Sequence, residues 1–335
     1  MTLVAPPPVP GAAIEAGRRA RAVPLPAVDS CTVLSATEVT AHKLIRADDP
    51  YMEGHYPDFT IYPGAFVIES VYQAVLHLVW ENHGTHAFAE PAHITSVRFL
   101  AALRPGDRLD IHCVARAVGA DGADELEVTA DCRRGDTRAA KVSMRFRIAA
   151  GTGTEAVPDG DSGAGGTGSG GTGSAGPQTV LLEHAGIRGT IPHAHPMLLV
   201  DRVLALDPYD RIVTSKAVTG SEPCYARLAP GAGERALRYP PSLLIESWGQ
   251  GGALLWLQRE RAGGQPDGTA PILAAVRDIT FHRGVHPGDT LRHTVRIDQY
   301  TAAGVIMSGE THRGDELVAE IGQALAVLRP SNGLL

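Results

Sequence analysis

Two apolar segments of like design, residues 63–80 and 241–257, constrain this 335-residue chain more than any other feature. Each opens on proline, which suits the first turn of a helix. Each is apolar nearly all round, so each helix belongs inside a fold rather than on its surface. The segments downstream of the two helices also repeat. Val97-Arg98-Phe99 and Arg104-Pro105-Gly106-Asp107 are matched by Val276-Arg277, Phe281 and His286-Pro287-Gly288-Asp289. The offset is 177 residues at Glu69 and Glu246 and 182 at the Pro-Gly-Asp turn. Similar elements in one order at a nearly constant offset mean an internal duplication. Alternating, β-rich segments come after each helix, which predicts an α+β chain with an antiparallel sheet wrapped around one central helix, twice.

The composition sets the boundaries. Residues 1–28, rich in Pro and Ala and lacking a signal peptide's apolar core, are expected to be a disordered lead-in. Residues 29–150 form the first domain, 151–177 a Gly/Ser-rich flexible linker, and 178–330 the second domain. The linker's root-mean-square reach of roughly 25–30 Å lets the halves pack side by side. A net charge of -7 without any Lys/Arg block excludes a general nucleic-acid binder. No run approaches the ~20 apolar residues needed to span a membrane, so a cytoplasmic protein is expected. Four cysteines without CxxC spacing read as reduced thiols rather than a disulfide framework or a zinc site. His77, His83, His86 and His93 lack firm ligand spacing, and no phosphate-cradling loop or nucleophile elbow is present. Neither a metal nor another cofactor is therefore expected.

The chemistry concentrates between His55 and Glu69. His55-Tyr-Pro-Asp lies in a loop punctuated by Pro and Gly, and Glu69 comes fourteen residues later inside the first apolar helix. A neutral imidazole titrates near working pH and suits a base. A carboxyl group in an apolar helix has its charged form destabilised, so it can hold a proton to give away. Gly64, at the helix start, can offer its backbone N–H where the helix dipole is positive. Together these are parts for moving protons at a carbon beside a carbonyl.

His55-Tyr-Pro-Asp, Tyr62-Pro63-Gly64 and Ile68-Glu69-Ser-Val-Tyr-Gln73 resemble the signature of the β-hydroxyacyl-acyl-carrier-protein dehydratases of the FabA/FabZ type. The second half is similar further upstream, through Ile191-Pro-His-Ala-His-Pro-Met-Leu-Leu-Val-Asp-Arg-Val203 and Glu222-Pro223. The likeness covers about residues 30–148 and 180–330. It implies the hotdog fold, here as a pseudo-dimeric double hotdog, with a further homodimer left open. It also implies dehydration of a 3-hydroxyacyl thioester carried by an acyl carrier protein, with Tyr62 and Gln250 near the substrate.

The second half departs from this pattern. Counting from Glu222-Pro223, Leu228 holds the place of the loop histidine and cannot accept a proton. Counting back from Glu246, Pro241 holds the place of Gly64 and has no N–H to offer. In the family each site takes histidine and donor glycine from one hotdog and the carboxylate from the other. Carried over, this implies one working site of His55, Gly64 and Glu246, with Glu69 the second choice of acid, and one dead site of Leu228, Pro241 and Glu69. The family's basic pair near the carrier-binding mouth is Leu100-Ala101 in the first half and His282-Arg283 in the second, so carrier docking is expected on His282 and Arg283, helped by Arg277. His193 and His195, in the opening segment of the second half, read as structural. The fused, half-degenerate form fits a specialised polyketide or polyene pathway. A hotdog thioesterase and a non-catalytic carrier-binding subunit are the alternatives.

Overall fold

The computed structural model of the chain describes residues 20–118, 125–149, 180–263, 269–302 and 304–330. The linker, 151–177, lies outside the described residues, as do residues 1–19. Each half is built in the same order. The first runs β1 (Ser30–Ser35), β2 (Glu38–Leu44), α1 (Gly64–His83), β3 (Phe88–Phe99), β4 (Arg108–Val118), β5 (Glu125–Arg134) and β6 (Thr137–Ala149). The second adds a short helix, α2 (His184–Arg188), and then runs β7 (Arg202–Asp207), β8 (Arg211–Ala217), α3 (Pro241–Gly263), β9 (Thr269–Phe281), β10 (Thr290–Tyr300), β11 (Gly304–Arg313) and β12 (Glu316–Pro330).

All strands join one antiparallel sheet in the order β1-β2-β4-β5-β6-β3-β9-β12-β11-β10-β8-β7. Read from either edge inward, the order is the same, so a pseudo-dyad passes between β3 and β9. The register there obeys it: Ile94 faces Ile279, Val97 faces Val276, and His93 and Arg98 face Thr280 and Ala275. This is the double hotdog that the duplication implied, with the two half-sheets fused edge to edge.

The helices are buried for the reason their composition suggests. Phe66, Val71, Ala74, Val75, Leu78 and Val79 of α1 have no measurable exposure. Full burial of an aliphatic or aromatic side chain contributes about 1.5–3 kcal/mol. β4 supplies one wall, turning Leu109, Ile111, Cys113 and Ala115 inward while Arg108 and Asp110 face out. α1 ends where Gly84, at φ 88°, returns its N–H to Trp80 O, a conformation that suits glycine.

The repeated polar motifs are fasteners. In the Pro-Gly-Asp turns, Gly106 and Gly288 adopt φ 94° and 101°. Asp107 and Asp289 accept from the N–H groups of Arg104 and His286 and are each held by an arginine, Arg134 and Arg313. Under each loop lies a buried ion pair, Lys43–Asp49 at 2.8 Å in one half and Lys216–Glu222 at 2.8 Å in the other.

One expectation fails. Residues 20–28, expected within the disordered lead-in, pack into the core, with Ala22, Val23, Leu25, Ala27 and Val28 buried. The side chain of Gln73 fixes them, accepting from Ala27 N–H at 3.0 Å and donating to Leu25 O at 3.0 Å. In the second half Gln250 does the same for Leu199 N–H and Met197 O, at 2.8 and 2.7 Å. The segment is the first half's copy of the opening segment of the second half. Its prolines and alanines hid it, because the fastening is supplied by a distant glutamine.

Candidate active site

His55 comes directly after a tight turn, Met52–Gly54, flanked by Tyr51 and Tyr56 at φ 70° and 54°. Left-handed backbone at two non-glycine residues costs on the order of 1–3 kcal/mol each and persists only where surroundings impose it. Here they do. The Tyr51 hydroxyl accepts from Cys224 N–H, and the Tyr56 hydroxyl donates to Pro271 O, so second-half residues hold this first-half loop. The His55 ring is buried, with Nδ1 2.8 Å from Ile61 O. A carbonyl only accepts, so Nδ1 carries the proton and Nε2 keeps its lone pair for chemistry. Burial pushes the imidazole down to about 4, with the Glu246 charge opposing and the neighbouring His193 and the Ile61 contact acting more weakly. His55 is thus neutral at physiological pH.

Glu246 reaches the same place from α3. Its Oε1 lies 3.4 Å from His193 Nε2 and accepts from Gln250 Nε2 at 3.0 Å. Burial alone would raise its pKa. The bond from His193, the charges of His55 and His193, and the Gln250 bond outweigh it and hold the carboxyl down at about 2. The sequence-based expectation of a resting protonated acid is therefore corrected: the helix around Glu246 is apolar, but the carboxylate has two donors of its own.

His193 is the residue that sequence reasoning set aside as structural. It pairs with His55 in a short antiparallel bridge, and Ala194 N–H binds Gly54 O at 2.9 Å. Gly54 permits this approach, since a Cβ there would lie 2.3 Å from Ala194 O. The His193 ring is buried and its Nδ1 has no hydrogen-bond partner among the described residues. Ring nitrogens of His55 and His193 and a Glu246 oxygen all lie within 4.8 Å of one another. Among the described residues this is the one group close enough to hold a metal ion; His77, His83, His86 and His93 form none. His195 is exposed and away from it.

The trio faces a cavity of about 320 Å³ drawn from both halves, walled by Val67, Phe99, Ala253 and Ile272. Gly64 lines it as the first residue of α1, where the helix leaves an N–H without an internal partner. A Cβ at Gly64 would meet the Phe99 ring at 2.9 Å, so the close packing also requires glycine. Tyr62 lines the cavity with its ring, but its hydroxyl is turned to Ser70 Oγ at 3.2 Å. Gln250 lines it while tying Glu246 to the opening segment of the second half.

Glu69 is elsewhere and fully engaged. It is 1 % exposed, and its oxygens accept from Arg21 and Gln73 at 2.9 Å each and from Ser242 Oγ at 2.9 Å. The dyad explains the difference. Gln73 and Gln250 fix equivalent segments, so Arg21 stands to Glu69 as His193 stands to Glu246. Aligning Val28-Asp29 with Val200-Asp201 makes that match legible from the sequence. Pro241 opens α3 as Gly64 opens α1, without a donor. Leu228 packs against the core.

The residues expected to dock the carrier do not line the His55 cavity. His282 and Arg283 line a second cavity on the other side of the dyad, and Arg277 is exposed on β9 opposite Ser96. The cation at the His55 cavity is Arg329 of β12. A motif's chain position cannot tell which of two crossed sites it serves.

Residues 32–131 match the family model described as ApeI dehydratase, and residues 191–322 that of the FabA-like domain. The 3-hydroxyacyl-[acyl-carrier-protein] dehydratase FabZ of Symbiobacterium thermophilum is 37% identical over 130 residues, which is 39% of this chain and 86% of that relative. FabZ of Clostridium kluyveri is 32% identical over 146 residues, 44% of this chain and 95% of the relative. The chain belongs to the FabA/FabZ-like dehydratase family. Among solved structures, the dehydratase domain of PpsC from Mycobacterium tuberculosis, in complex with C12:1-CoA, superposes with a TM-score of 0.57 at 10% identity over 92% of this chain and all of that one. The dehydratase domain from the CurJ module of the curacin polyketide synthase gives 0.55 at 12% identity, over 93% and 98%. Both share the fold of this family member. No helix among its described residues is long and apolar enough to cross a membrane.

Proposed function

We propose that this dehydratase-family chain removes water from a 3-hydroxyacyl thioester held on an acyl carrier protein, giving the 2-enoyl thioester at a single site built across its halves. The observation that carries this reading is the meeting of His55 and Gly64 from the first half with Glu246 and His193 from the second in one cavity. His55 Nε2 takes the proton from C2. The negative charge that grows on the thioester oxygen is met by the Gly64 N–H at the positive end of α1. The C3 hydroxyl leaves as water with a proton from the His193–Glu246 pair, which enters the step with an imidazolium at His193 beside the ionised Glu246 and leaves it as a neutral imidazole beside the same carboxylate. His55 ends with one proton more and the pair with one fewer, and exchange with solvent resets them. The dyad-related site has no such route, because the guanidinium of Arg21 stays charged at any working pH. The four cysteines are free thiols, in keeping with a cytoplasmic site of action.

Incubating the protein with a 3-hydroxyacyl carrier protein and weighing the acyl-carrier by mass spectrometry tests the reading. Loss of one water with the thioester intact is the expected result. Release of free 3-hydroxy acid would mean a thioesterase, and unchanged substrate a binding subunit.

Two further outcomes are expected. Gly64→Pro copies the relic half and removes the donor, so kcat should fall about 10²–10³-fold in a steady-state assay. Arg329→Glu should raise KM for the acidic carrier-bound substrate several-fold while leaving turnover of the matching pantetheine thioester alone, because the charge acts on docking.

A further inference from the structure

The relic half keeps a cavity of its own. The pseudo-dyad carries the His55 cavity onto a second one of about 450 Å³, bounded by β3, the start of α3 and the turn after β9. Decay of a catalytic site accounts for the loss of histidine and donor glycine, but not for what replaced them. The walls carry the guanidinium groups of Arg21, Arg147, Arg235, Arg238, Arg283 and Arg313, and Glu90 is the one carboxylate among the described lining residues.

Glu90 serves several of these cations at once. Its Oε1 lies 3.0 Å from Arg235 Nε and 2.5 Å from Arg238 Nη1, and Arg147 stands opposite it across the β3–β6 pair. Arg147 itself donates to the backbone oxygen of Phe281 at 3.3 Å. Arg238 Nε is buried and has no hydrogen-bond partner among the described residues. Gly284 leaves space for it, since a Cβ there would come within 2.9 Å of that nitrogen. The remaining carboxylates beside these cations stand behind the wall or outside: Glu69 on Arg21, Asp289 and Glu316 on Arg313, with Glu316 also 3.8 Å from Arg283.

The cations are held in place before any ligand arrives. Arg21 lies over the Tyr72 ring at 4.0 Å and Arg235 over Phe88 at 4.7 Å. Such stacking fixes guanidinium planes. Leu244, Pro241 and Tyr239 add an apolar floor. Converging guanidinium forks match the geometry of phosphate oxygens. The cavity is also larger than a bare phosphate fills and falls in the range of small-molecule sites, about 300–1,000 Å³.

We propose that this second cavity binds an organic phosphate, with the phosphate on Arg147, Arg235 and Arg238 and an apolar body on the Tyr239–Leu244 floor, at a site separate from dehydration. Isothermal titration of the full chain with phenyl phosphate, inorganic phosphate and phenol tests it. One phenyl phosphate per chain is expected, bound at least about tenfold more tightly than inorganic phosphate and weakening as salt rises, with phenol failing to bind. Arg147→Gln/Arg238→Gln should weaken binding by more than about tenfold while dehydration and the melting temperature stay near wild type. Arg147→Gln alone, at an exposed strand position, should weaken it about threefold to tenfold and guards against misfolding of the double variant. His55→Ala should abolish dehydration yet leave phenyl phosphate binding intact, which separates this site from the first. Absent binding, equal affinity for the two phosphates, binding unchanged in the arginine variants, or binding lost in His55→Ala would each overturn the proposal.

Discussion

Glu246→Gln should lower kcat/KM for dehydration by about 10²–10⁴-fold, the usual worth of a positioned acid or base, whereas Glu69→Gln should leave the folded enzyme within a few-fold of wild type. The two glutamates occupy equivalent helical positions, and their surroundings set them apart. Glu246 meets His193 and the cavity that holds His55. Glu69 is sealed behind Arg21, Gln73 and Ser242. Its loss should appear as instability instead, since it leaves a nearly buried Arg21 without its carboxylate, a change that costs about 3–5 kcal/mol in comparable buried pairs. Measuring kcat/KM and the denaturation midpoint on both variants separates the effects. A dead Glu69→Gln enzyme of normal stability would contradict the crossed site.

His55→Ala should be as damaging as Glu246→Gln, with kcat/KM down about 10²–10⁴-fold at every pH. Wild type should show a low-pH limb set by the imidazole. A base works only when unprotonated, and burial holds His55 at about 4. Activity should therefore rise as pH climbs through about 4 and be level by neutrality. Glu246, held at about 2, is ionised across that range and adds no limb there. A limb centred near the ordinary histidine value of about 6.5 would mean that the ring is more exposed to water, or better paired, than its surroundings here allow.

The fold was legible because it rests on local pattern repeated: two apolar helices, two Pro-Gly-Asp turns, and strands of like spacing. Half of the proposed crossed site was legible. His55, Gly64 and Glu246 carry side chains or backbone freedom that the chemistry needs, and Leu228 and Pro241 visibly lack them. His193 was missed because its position depends on Gln250 gripping the opening segment of the second half and on Gly54 admitting that segment to the His55 loop. The same grip, made by Gln73, turned an apparent lead-in into core and set Arg21 on Glu69. The ionised state of Glu246 was hidden for a related reason, since an apolar helix says nothing of donors from other elements. That His282 and Arg283 line the cavity across the dyad from His55 was not legible, because a motif shows its half, not the side of the dyad to which that half delivers it.

A double-mutant cycle joining His55→Ala to each glutamate variant tests the single crossed site most directly. With His55 and Glu246 acting as one unit, His55→Ala/Glu246→Gln should be no slower than the worse single variant, because residues that act together lose their effect together. The contradicting result is the reverse pattern, in which Glu246→Gln multiplies the His55→Ala defect while Glu69→Gln adds nothing to it.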